Sequence, residues 1–66
     1  MMRDLILEAL RAKYEGQIQE ARANIEVYLS NPVGIGEHSD IIEAIDCQIE
    51  KIAEAAEKKD ALIWFD

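Results

Sequence analysis

The one stretch whose residue types could hold a ligand is "NPVGIGEHSD", Asn31 to Asp40. Two glycines ahead of a helix start are the parts of a phosphate cradle, and a carboxylate beside an imidazole could join a metal site. One reading is therefore a small-ligand or metal-binding regulator built on Gly34, Gly36, Glu37 and His38. The dinucleotide fingerprint, however, needs a strand, then G-x-G-x-x-G, then a helix. Here "GIGEHS" has serine at the third glycine and comes after a helical segment, and the Gly-Lys-Ser/Thr of a P-loop is absent. Glu37 and Asp40 would also face a bound phosphate with charge of its own sign. A turn accounts for each residue instead. Pro32 ends the preceding helix, and Gly34 and Gly36 permit positive φ or close backbone approach. Val33 and Ile35 can fold inward, and Asp40 or Ser39 caps the next helix. The turn is the preferred reading.

Other chemistry-bearing residues do not form a set. His38 is the only histidine and Cys47 the only cysteine, so neither a disulfide framework nor a zinc cluster is available. A nucleophilic Cys47 would need a base that the pattern does not bring near it. Glu43, Asp46, Glu50, Glu54 and Glu57 recur along one stretch, but they line a convex face, which describes a solvated ridge better than a cation site. The expectation is no catalytic residues, no metal, no cofactor and no enzymatic activity. A net charge of −7 repels a phosphate backbone, which argues against nucleic-acid binding. An acidic DNA mimic is conceivable and ranks lowest. No apolar run approaches the ~20 residues of a membrane span, and no signal peptide is visible, so a cytoplasmic location is expected.

The same residues dictate the elements. From about residue 3 to 30 good helix formers dominate, and Leu7, Leu10, Tyr14, Ile18, Ala21, Ile25 and Tyr28 recur at steps of three and four. A loop over 31–39 comes next, and a second helix is predicted from about 40 to 63. Asp40 and Glu43 have capping-box spacing. Ile42, Ile45, Ile49, Ile52, Ala56 and Ile63 are expected to form the second seam, interrupted by Lys59, with Ile41, Ala44, Ala55 and Leu62 as its flank. Folding the chain about Ile35 sets large residues against small ones, as in Tyr14 against Ala56. The prediction is an all-α, antiparallel two-helix hairpin, a single domain over 1–66.

A hairpin this small has little core and no second cysteine to staple it, which makes self-association the simplest remedy. Leu5, Ala9, Ala12, Gly16, Ala23 and Val27 fall opposite the hairpin-facing stripe of the first helix. Most are small, and a mid-helix glycine is destabilising unless close approach by another helix rewards it. This face is the candidate self-association surface, and the expected product is a homodimer, a four-helix bundle of two hairpins. At the other end of the chain, Trp64 and Phe65 are either a plug over Met1, Met2, Leu5 and Ile6 or an anchor that contacts a partner protein.

The motif "NPVGIGEH", with "DIIEAID" and "QIEKIAEA" after it, resembles small helical-hairpin proteins of marine tailed phages, especially cyanophages, and of ocean viral metagenomes. The likeness loosely covers most of the chain, with Ser39 standing where that family tends to have proline. It implies provenance rather than mechanism: a viral protein acting in the host cytoplasm. The leading functional expectation is a non-enzymatic, acidic protein–protein interaction module that self-associates and binds a host or virion protein. The alternatives are a phage assembly factor or minor structural component, and the regulator centred on the glycine loop.

Overall fold

The computed structural model describes residues 1–30 and 40–66. Helix α1 spans Met2–Ser30 and α2 spans Ile41–Ala61, with a 3-10 turn over Leu62–Phe65 closing the chain. The contacts between the helices run in opposite order along the two segments. Asn24 meets Gln48 near one end, Glu15 meets Lys59 further along, and Arg3 reaches the Phe65 carbonyl at the other. The fold is thus an all-α antiparallel hairpin, and it is a slender one, 50 × 16 × 14 Å.

Local chemistry explains where α2 begins and ends. Asp40 is extended, with φ −75° and ψ 106°, and its carboxylate accepts from the Ile42 and Glu43 amides at 3.0 and 3.2 Å. Those donors have no intrahelical acceptor, so the cap satisfies them. Glu43 in the first turn and Lys58 and Lys59 in the last complement the helix dipole. At its end the ladder tightens: Leu62 N–H donates to the Lys59 carbonyl, three residues back, as in a 3-10 turn. The α-helix therefore stops two residues short of the predicted 63. The predicted turn chemistry at Pro32, Val33, Gly34, Ile35 and Gly36, and the competing cap at Ser39, lie outside the described residues.

The seam of α1 is the predicted one. Leu7, Leu10, Tyr14, Ile18, Ala21, Ile25 and Tyr28 are all buried or half-buried. The seam of α2 is the predicted one only in part. Ile45, Ile52 and Ala56 are half-buried as expected, but Ile41, Ala44, Gln48, Ala55 and Leu62 form the rest of it, with Lys59 half-buried beside them. Ile42 is 77 % exposed and Ile49 is 49 % exposed, and Ile63 also faces solvent. The residues expected to flank the seam occupy it, and three isoleucines expected inside stand at its edge. The physical reason is that positions 41, 48, 55 and 62 repeat every seven residues just as 42, 49, 56 and 63 do. Periodicity cannot separate two heptad rows one residue apart; the inter-helix contacts do. Ala21 and Ala55, at 1 % and 2 % exposure, let the backbones close together, and Gln48, at 8 %, bonds the Asn24 amide at 3.2 Å.

Candidate functional site

Polar contacts distinguish the two broad sides of the hairpin. On one, Lys59 pairs with Glu15, and Arg11 pairs with Asp66 at 3.2 Å. Seven residues make nearly two full turns, so positions seven apart lie almost in line along a helix. Stepping back from Lys59 by sevens reaches Ile52 and Ile45; stepping forward from Arg11 reaches Ile18 and Ile25. Ile42 and Ile49, three residues before Ile45 and Ile52, lie on the same side and further out. Beyond its charged end this side carries isoleucines, none of them fully buried, with the exposed Arg22 between Ile18 and Ile25 and the exposed Asp46 between Ile42 and Ile49 along its outer edge. On the opposite side, at mid-length, Gln17, Glu20, Lys51 and Glu54 line a shallow cleft of about 150 Å³ floored by Ala55. At mid-length the first side is the richer in apolar residues.

At the free ends of the helices, on the same side as the polar cleft, lies a wider groove of about 720 Å³. Leu7, Leu10 and Leu62 form its floor, with Met2, Ile6, Tyr14, Ala61 and Phe65 as walls and Arg3 and Lys58 at its margin. The groove bears on the two readings of the tail. Phe65 lines it, and the Arg3 guanidinium donates to the Phe65 carbonyl, which ties the tail to α1. The tail does not plug the end, because Met1, Met2, Leu5 and Ile6 all remain exposed. Trp64 is 82 % exposed. A plug needs a ring that turns inward, whereas the 3-10 turn buries Leu62 and leaves Trp64 outside.

The candidate self-association face, Leu5, Ala9, Ala12, Gly16, Ala23 and Val27, lies entirely in solvent along the back of α1. A Cβ placed on Gly16 would meet nothing within 4 Å. The hairpin itself thus gives no reason for the missing side chain. Glu43, Asp46, Glu50, Glu54 and Glu57 are all exposed, and Lys58 pairs with Glu54 at 3.2 Å. Cys47 is exposed as well. Among the described residues no three His, Cys, Asp or Glu side chains gather as a metal site would require, and no helix is long and apolar enough to cross a membrane. Gly34, Gly36, Glu37 and His38 lie outside the described residues.

Sequence reasoning missed the Asn24–Gln48 pair and the Glu15–Lys59 and Arg11–Asp66 ion pairs. Lys59 carried a signal, since a lysine at a seam position needs a carboxylate on the facing helix, and Glu15 supplies it. No family model, curated protein or solved structure matches the chain.

Proposed function

We propose that this protein is a non-enzymatic interaction module: an acidic helical hairpin that self-associates and presents apolar surface to a second protein. One observation carries the reading. Among the described residues no large side chain is fully buried, and Leu5, Ile6, Val27, Leu29, Ile42, Ile49, Ile63, Trp64 and Phe65 are each about half exposed or more. Scattered exposed apolar residues are ordinary on a protein surface, but a two-helix unit in which no large side chain is fully buried leaves more apolar surface than it can cover alone. Four helices bury faces that two cannot, which makes a dimeric four-helix bundle the expected assembly.

Light scattering across a concentration series tests self-association. A dimer at micromolar concentration is expected, and a folded monomer there would overturn the proposal. The likeness of "NPVGIGEH" and its adjoining helix to marine phage hairpins favours a host or virion protein as the second partner. Mass spectrometry of purified particles separates the two cases. Presence in the particle would favour the assembly or minor structural role over a host-directed one.

A further inference from the structure

We infer that two copies meet through the isoleucine side of the hairpin, Ile18 and Ile25 of α1 with Ile42, Ile45, Ile49 and Ile52 of α2, and that the occupant of this face is a second copy of the chain. The inference rests on the proposed self-association and names its surface, which is not the small-residue back of α1.

Area is the first ground. The chain exposes 5223 Å². A compact protein of its mass exposes ~4,200 Å², roughly 1,000 Å² less. One partner in a standard interface buries about 800 Å². The surplus of an elongated hairpin is therefore about what one copy must contribute to a stable dimer.

The composition of α2 is the second. Toward α1 it turns Ile41, Ala44, Gln48, Ala55, Lys59 and Leu62, while Ile42 and Ile49 face outward and Ile45 and Ile52 sit between. A helix with a single neighbour would gain by rotating its isoleucines inward, because apolar burial scales with the area removed from water. A helix with two neighbours needs an apolar arc wider than one seam, as in a globular bundle. The arc from Ile41 through Ile45 to Ile42 has that width. The carboxylates of Glu43, Asp46, Glu50, Glu54 and Glu57 are all exposed. The stripe of Leu5, Ala9, Ala12, Gly16, Ala23 and Val27 offers less area, being mostly alanine and glycine.

An isologous two-fold pairing places this face against itself. The test compares the wild type with Ile42→Glu/Ile49→Glu and with Gly16→Leu, by sedimentation velocity and circular dichroism. Ile42 and Ile49 are exposed in the single chain, so the double variant retains the intramolecular seam. The expected result is a helical double variant whose dimer dissociation constant rises by at least about a hundredfold, since buried unpaired carboxylates are strongly unfavourable, with Gly16→Leu unchanged. A dimer that survives Ile42→Glu/Ile49→Glu but is broken by Gly16→Leu overturns the inference and leaves self-association standing. A wild type that is monomeric overturns both. Should the double variant lose its helicity, single Ile49→Lys and Ile42→Ser variants provide the same reading with smaller shifts, and unchanged dissociation constants in both would count against the face.

Discussion

The placement of every face of α2 depends on its rotation against α1, and the Asn24–Gln48 pair is the sharpest test of that rotation. The two amides meet at 3.2 Å, with Gln48 buried and Asn24 half-buried. Between neutral groups such a bond contributes ~0.5–1.5 kcal/mol net, and here the lower half of that range applies because Asn24 can turn to water when its partner is lost. A double-mutant cycle with Asn24→Ala, Gln48→Ala and the pair should return a coupling energy of about 0.5–1 kcal/mol. Urea unfolding monitored by far-ultraviolet circular dichroism measures it, at one fixed protein concentration because association would shift the midpoints. Gln48→Leu provides an independent check of sign. Burying leucine stabilises by ~1.5–3 kcal/mol, which exceeds the loss of the bond, so the variant should be the more stable by about 1 kcal/mol. For a domain of this size that corresponds to a rise in Tm of ~4–8 °C. Coupling indistinguishable from zero would refute the reasoning. It would mean that the amides do not meet in solution and that α2 presents a different row to α1.

Single contacts supply the other expectations. Asp40→Ala removes both cap bonds to Ile42 and Glu43 and should lower stability by ~1 kcal/mol in urea unfolding, while Asp40→Asn, which keeps an acceptor, should lose less. Gly16→Ala adds a methyl group where nothing lies within 4 Å; it should stabilise the helix by up to ~1 kcal/mol in thermal unfolding, and a loss of stability would show that another helix packs there. Ala55→Leu inserts bulk at a position 2 % exposed and should lower stability by ~1–3 kcal/mol in urea unfolding. Raising ionic strength should tighten self-association in sedimentation experiments, because each copy carries a charge of −7 that salt screens; weakening would point to an interface held by ion pairs.

The architecture was legible in the sequence because its signals are local. Helix formers, a capping Asp40 and a three-four repeat from Leu7 to Tyr28 each act within a few residues, and they specify two helices and one seam unambiguously. The rotation of α2 was not legible, because it is decided across the hairpin. Rows 41-48-55-62 and 42-49-56-63 have the same period, and the second is the greasier. Hydrophobicity alone selects the isoleucine row for the interior, but the alanines allow the helices to close and Gln48 finds Asn24. Which way the tail turns was not legible for a related reason. Apolar composition allows Trp64 to be a plug or an anchor, yet the direction of a side chain at a helix end is set by the backbone, and the 3-10 turn aims Leu62 inward instead.

The isoleucine side and the groove at the free ends lie on opposite broad sides, and this constrains how an assembly can close. A two-fold pairing through the isoleucine side covers that region on both copies at once. Each copy then shows outward, at mid-length, the cleft of Gln17, Glu20, Lys51 and Glu54, which has no apolar match on a further hairpin. On the proposed pairing the isoleucine side would be used up at two copies, as closure of an isologous interface requires. The groove at the free ends is not covered by this pairing, because it opens on the outward side with Arg3 and Lys58 at its margin. Trp64, the chain neighbour of the groove-lining Phe65, is in solvent, and tryptophan is enriched at interface hot spots. The proposed dimer would thus leave a separate apolar end free for a different protein. A Trp64→Ala variant should leave the dimer intact in sedimentation while weakening capture of any second protein, and loss of the dimer would show that the free ends, rather than the isoleucine side, join the copies.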